Sequence, residues 1–317
     1  MDAIDKAILF ELSQDCRLSY SDLGRQLGVT SNTIKNRVKK LVDQNVIISF
    51  NVELNPELLN ISQALVLFDV VGDQEFNGEE FGRHELVAGV GKGVSSGVAI
   101  VLYRNNQELV KATDLFQNNE NLANIEVIPI LLPPQARGEP PKKELTAIQP
   151  IDWMLLYHLR HNGRISLSSL SKKTKVSVKT IRKRLQFLNS QHLIRQTINL
   201  NPGSARKGII MFAKMFYPSL NNQQYMLIDQ KLTKTFPDTF WVSWRVAGLP
   251  VLLASFYVPH MDRLSSVEST LRSFEGIRNV ELKIGGSLQY FPDLRDKILE
   301  EKKAEGWFSP EQWEREI

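Results

Sequence analysis

Apolar residues at helical spacing open the chain and return 147 positions later. Ile4, Ile8, Leu9 and Leu12 lie three and four apart, and Ile151, Leu155, Leu156 and Leu159 repeat them. A second short helix is expected after Ser21, with Leu23 and Leu27 inward, and after Ser168 in the copy. Gly28-Val29 then makes a turn, matched by Lys175-Val176. A third helix starts at a hydroxyl, Thr30 or Ser177, able to accept from a free N–H of the first turn. Residues 45–52 and 192–199 read as short extended wings, and both units close with Asn-Pro, at Asn55-Pro56 and Asn201-Pro202. Residues 4–51 and 151–198 align without a gap, so the unit is a duplicated winged helix-turn-helix.

A different texture follows each unit. Residues 64–71 and 209–217, 98–103 and 251–258, and 125–131 and 280–284 form three pairs of apolar runs with the length of buried strands. Polar stretches with helical spacing, 107–116 and 261–274, lie between them, and the region between Val71 and Val87 is short and acidic. The order strand, helix, strand, strand, helix, strand predicts a ferredoxin-like α+β sandwich in each half. The predicted fold class is therefore α+β, two winged helix-turn-helix domains alternating with two sensor-like sandwiches.

The expected boundaries are 1–56 and 57–132 for the first half, a Pro-rich linker at 133–149, and 150–202 and 203–292 for the second. A helical extension follows at 293–317. Ser309-Pro310-Glu311 is a helix start, and Trp307, Phe308 and Trp313 are expected to dock on the chain itself.

Composition narrows the function. At 317 residues with 42% hydrophobic and 23% charged side chains the chain reads as globular, without a membrane-length apolar run or a signal-peptide pattern, and cytoplasmic. Cys16 is the single cysteine, which excludes an internal disulfide and Cys-rich metal sites. The net charge of +4 is unevenly spread: residues 151–202 hold ten basic side chains and one acid, and residues 57–150 seven and thirteen. A compact basic module is what phosphate binding requires, so the expected partner is double-stranded DNA.

On a wheel of about 100° per residue, Ile34, Val38 and Leu41 of the third helix fall together, as do Ile181, Leu185 and Leu188. Opposite them lie Asn32, Lys35, Asn36 and Lys39, and Lys179, Arg182, Lys183 and Gln186. Amides suit adenine edges, arginine suits guanine, and lysines reach guanine or phosphate. With the flanking Thr30, Ser31, Thr33, Lys40, Ser177 and Thr180 these are the candidate DNA-binding residues. Arg37 and Arg184 lie at the flank of the apolar stripe, where they brace the third helix against the first or touch phosphate; Asp5 and Asp152 are candidate partners. The outward residues differ between the copies, so one chain is expected to read two unlike half-sites.

Asn162-Gly163-Arg164-Ile165-Ser166, Leu170, Val176-Ser177, Thr180-Ile181, Arg184 and Leu188 resemble the leucine-responsive regulator (Lrp/AsnC) family. The first copy resembles it more closely, at Ile4-Asp5, Leu27-Gly28-Val29-Thr30, Thr33-Ile34, Arg37, Leu41 and Ile47. That resemblance implies a transcription regulator that pairs through its sensor sheets, often assembles further and responds to small amino acids. Here it implies a pseudo-dimer within one polypeptide. The family's effector signature, a glycine followed by an acid, is altered: Gly248-Leu249-Pro250-Val251 lacks a carboxylate, and the segment from Gly91 through Gly93 to Gly97 is basic and glycine-rich. These glycines are candidate effector positions, with backbone N–H groups suited to an anion, while an amino acid's ammonium would lack its acidic partner.

Two other readings follow from the same residues. An architectural protein with little sequence preference would also use a basic module. Siroheme decarboxylases share this architecture and act on tetrapyrroles. Yet His84, His158, His161, His192 and His260 show no metal spacing, so neither catalysis, cofactor nor metal is expected.

Overall fold

A computed structural model of the protein describes residues 1–71, 76–93, 95–131, 141–204, 209–258, 262–285 and 287–306. The first trihelical unit is α1 (Ala3–Gln14), α2 (Tyr20–Leu27) and α3 (Ser31–Asp43). The second is α6 (Pro150–Leu159), α7 (Leu167–Thr174) and α8 (Val178–Ser190). Asp2 and Gln149 begin the two units with the same capping arrangement, in which Asp5 or Asp152 accepts from the cap's own backbone N–H.

The strands that follow the two units meet each other. β1 (Ile47–Leu54) and β6 (Ile194–Leu200) pair antiparallel with each other, Phe50 opposite Ile198 and Asn51 opposite Thr197. Each of these extended segments thus finds its strand partner in the other repeat. The pairing places a two-fold axis beside Phe50 and Asn51. Cys16 lies at this axis facing Gly163, its own counterpart: a Cβ added at Gly163 would stand 2.9 Å from the Cys16 sulfur.

The first sandwich contains β2 (Ser62–Val70), α4 (Gly78–Gly82), β3 (Val87–Lys92), β4 (Ser96–Tyr103), α5 (Asn106–Gln117) and β5 (Leu122–Leu131). The second contains β7 (Ile209–Phe216), α9 (Asn222–Thr235), β8 (Phe240–Val246), β9 (Val251–Val258), α10 (Arg263–Arg272) and β10 (Asn279–Gly285). Strand orders β5-β2-β4-β3 and β10-β7-β9-β8 are the same ferredoxin-like order twice. In the short, acidic region between Val71 and Val87 the first helix of the first sandwich is the five-residue α4.

The inner strands β2, β4, β7 and β9 are apolar along most of their length because both faces are covered. In β2, Val66 and Phe68 pack under the helices while Leu65 and Leu67 point the other way. In β7, Met211 and Ala213 face helices, and Ile210 and Phe212 meet the opposite sheet. The two helix-free faces thus pack on each other. One corner is closed by β5 and β8, which pair at Ile130–Val246 and Leu131–Arg245. At the opposite corner the Ser96 hydroxyl donates to the Ile284 carbonyl at 2.6 Å. Two ion pairs span the sandwich, Glu126–Lys214 (2.6 Å) and Asp69–Lys283 (3.0 Å). The first half supplies both acids and the second both lysines, so each half complements the other better than a copy of itself.

A C-terminal arm completes the fold. β11 (Ser287–Tyr290) pairs with β3, and α11 (Leu294–Ala304) packs against α6, with Leu299 in the core of the second trihelical unit. Trp307, Phe308, the Ser309-Pro310-Glu311 helix start, Trp313, His260 and residues 133–140 of the Pro-rich linker lie outside the described residues. Among those described, no helix is long and apolar enough to cross a membrane.

Candidate nucleic-acid interface

Both third helices are entered through a left-handed residue, Gly28 (φ +67°) and Lys175 (φ +62°). Glycine adopts this conformation freely and lysine does not. The start of each helix is fixed by its hydroxyl cap: Thr33 N–H donates to Thr30 Oγ1, and Thr180 N–H to Ser177 Oγ, both at 3.1 Å. The apolar stripe seats each helix, with Ile34, Val38 and Leu41 buried in α3 and Ile181 and Leu188 in α8, where Leu185 is half-buried.

The opposite faces are open to solvent. Thr30, Ser31, Asn32, Lys35, Asn36, Lys39 and Lys40 are exposed around α3, and Thr33 is half-buried. Ser177, Lys179, Thr180, Arg182, Lys183 and Gln186 are exposed around α8. Lys35, Lys39, Lys40, Lys179, Arg182 and Lys183 form no ion pair among the described residues. Each helix therefore presents unneutralised cations and amides on a rigid surface.

Arg37 and Arg184 turn the other way. Arg37 Nη1 lies 2.8 Å from Asp5 and 2.7 Å from Asp2, and Arg184 Nε donates to the fully buried Asp152 at 2.9 Å. Hydrogen bonds to Asp2 and Asp5 raise the Arg37 pKa. Each arginine ties a third helix to the capped start of a first helix. This fixes the outward face without contributing to it.

The described glycines of the segment are engaged in strand pairing and packing. Gly91 and Gly97 lie in β3 and β4, paired with Val98 and Lys92, and Gly93 N–H donates to Ser96 O at 2.7 Å. A Cβ at Gly97 would stand 2.3 Å from the Phe68 ring, and one at Gly93 2.7 Å from Ile284 O. These glycines permit close packing at the sandwich corner. Gly248 occupies an exposed turn between β8 and β9 with φ +74°.

Strands β3 and β8, helix α9 and the β1–β6 ribbon escaped the sequence reading. A signal for the ribbon was present: Arg17 and Arg164 recur in the repeat, and both hold the opposite unit.

The AsnC-type helix-turn-helix domain family matches residues 1–42, and the winged helix-turn-helix DNA-binding family matches 148–195. The first unit is thus similar to AsnC-type helix-turn-helix domains and the second to winged helix-turn-helix DNA-binding domains. The transcriptional regulator Ptr1 of Methanocaldococcus jannaschii is 36% identical over 67 residues, 21% of this chain and 45% of Ptr1. The leucine-responsive regulatory protein of Haemophilus influenzae is 39% identical over 70 residues, 22% of this chain and 42% of that protein. The chain thus spans less than half the length of these regulators. Over the whole fold it is similar to the siroheme decarboxylase NirDL, with TM-score 0.55 and 11% identity over 96% of this chain and 99% of that one. This likeness extends the shared architecture across both halves; a fold by itself carries no chemistry.

Proposed function

We propose that the protein is a DNA-binding transcription regulator of Lrp/AsnC type in which one chain does the work of a dimer. The observation that carries this reading is the pair of capped, braced helices whose outward faces hold cations without an ion-pair partner among the described residues, Asp43 at the end of α3 being the one acid on them. A helix of this diameter fits the major groove. Asn32 and Asn36 on α3, and Lys179, Arg182 and Lys183 on α8, are the proposed base and phosphate contacts, with Thr30, Ser31, Thr33, Lys35, Lys39, Lys40, Ser177, Thr180 and Gln186 beside them. Because the two faces differ, the site consists of two unlike half-sites, and the basic second unit supplies most of the phosphate attraction. Regulator relatives support this reading over an enzymatic one.

The test is footprinting with the full chain at two salt concentrations. An asymmetric footprint is expected, weakened as salt rises and weakened at one half-site only by Lys183→Ala. A symmetric footprint indifferent to Lys183→Ala would sink the proposal. Binding that scarcely distinguishes one duplex from another would favour an architectural role.

A further inference from the structure

The two-fold relation between the halves is broken by the C-terminal arm. On one side of the ribbon, Arg160 and His161 meet the C-terminal arm: Arg160 reaches Glu300 at 2.8 Å and His161 reaches Asp296 at 3.1 Å. The space left beside them is about 50 Å³. The repeat aligns these residues with Ser13 and Gln14, and there, among the described residues, no arm is present. Instead, Ser13 and Gln14 border a cavity of about 790 Å³ between α1, β6, α9 and β8.

That cavity has a definite chemistry. Phe10, 55% exposed, and the half-buried Trp241 and Trp244 give it aromatic walls. Lys6 and Lys234 line it, and Lys234 has no ion pair among the described residues. Burial lowers the Lys6 pKa to about 8, against the pull of Asp238. Arg195 and Arg295 also border it, but both are held by Glu53. The one acid in the lining, Asp229, accepts from the Ser243 hydroxyl at 2.6 Å. Gln196 contributes a buried amide oxygen that meets no donor among the described residues. Such an orphaned acceptor is costly unless a ligand supplies the missing N–H or O–H.

We propose that this cavity binds an aromatic organic acid carrying an N–H or O–H donor. The rings lie against Phe10 and the tryptophans, the anion faces Lys6 and Lys234, and the donor reaches Gln196. The volume suits a drug-sized molecule and is larger than a free amino acid needs. The site is single because the arm fills its counterpart. It stands independently of the DNA-binding reading.

The probe is 8-anilinonaphthalene-1-sulfonate, which has the rings, the anion and an N–H; N-phenyl-1-naphthylamine is the same ring system without the sulfonate. Fluorescence titration of the full chain is expected to show one saturable site for the sulfonate, with the uncharged analogue weaker by about tenfold. Lys6→Gln with Lys234→Gln should weaken the sulfonate by a similar factor and leave the analogue unchanged. Thr233→Trp should block both, and Ser13→Trp repeats that test from the facing helix; a cooperative melt is required of every variant. Failure of the sulfonate to saturate, equal affinity for the two probes, or indifference to both blocking variants would each overturn the assignment.

Discussion

Arg17 donates to the carbonyl of Ile165 at 3.2 Å, and Arg164, its counterpart in the repeat, donates to the carbonyl of Leu18 at 2.5 Å. Residues 18 and 165 are themselves repeat partners, so the contact is reciprocal, as in a symmetric dimer. The duplication therefore produced an interface within one chain. Its tightest point is Cys16 against Gly163, where burial raises the thiol pKa to about 12, with Asp15 adding to the shift.

Gly163→Ala should destabilise the protein by about 1–3 kcal/mol, the usual cost of overpacking. Adding Cys16→Ala should recover part of that loss. Recovery stays incomplete because the new Cβ would also stand 3.1 Å from the backbone of Phe50 and Asn51. Denaturant titration of the single and double variants reads this directly. The same thiol should ignore thiol reagents in the native protein and react on unfolding.

The bracing and outward residues of α8 should separate cleanly. Arg184→Ala strands Asp152, which is fully buried, and is expected to cost about 3–5 kcal/mol of stability. Lys183→Ala, one position away and exposed, should change stability by no more than about 0.5 kcal/mol. Its effect should appear in DNA affinity and in the salt slope. Equal melting curves for the two variants would contradict the bracing geometry.

Lys175 occupies the left-handed position that glycine holds in the first repeat. Lys175→Gly is expected to stabilise the second unit by up to about 1 kcal/mol, since relief of backbone strain outweighs the added freedom of the unfolded chain. Gly28→Ala should destabilise, although nothing lies within 4 Å of the added Cβ. Opposite signs in thermal melts would establish that conformation, not crowding, decides these positions.

What sequence could and could not reveal follows from the range of the interactions. The trihelical units were legible because caps, turns and the apolar stripe lie within a few residues of one another. Arg37 and Arg184 were legible as flank residues. Pairing of β1 with β6 was not, because the partner strand lies in the other repeat and extended segments look alike as wings or ribbons. β3 was hidden by its glycines, which weaken a strand signal; Gly89 lies against β11, where an added Cβ would stand 3.1 Å from Gln289 O. The large cavity draws its lining from several separate segments, and no local pattern announces it.

Glu53 ties the arm to the ribbon. Burial pushes its carboxyl pKa up, but Arg295 and Arg195 more than offset this, and the folded value lies below the ordinary 4.5. A carboxylate with a lowered folded pKa contributes stability that is complete above the unfolded value and is lost as pH falls through the folded one. Stability should therefore decline below about pH 4.5, and Glu53→Gln should flatten that part of the profile while lowering stability at neutral pH. Urea midpoints measured between pH 3 and pH 7 test this; an unchanged slope in the variant would assign the acid sensitivity elsewhere.

Arm docking depends on one small residue. A Cβ at Gly82 would stand 2.2 Å from the Phe291 ring, so the absence of a side chain on α4 makes the socket for Phe291. Phe291 N–H donates to Ala88 O at 3.0 Å, and Leu288 N–H to Asn201 Oδ1 at 2.9 Å. Gly82→Leu should expel the ring and loosen β11, at a cost of about 1–3 kcal/mol. Hydrogen exchange is expected to accelerate at the Leu288 and Phe291 amides while β2 and β7, at the centre of their sheets, stay protected. Removing the ring instead, by Phe291→Ala, should loosen the same two amides without adding a clash. Uniform acceleration across both sheets in the two variants would mean that the arm is an integral part of the sandwich rather than a clasp laid over it.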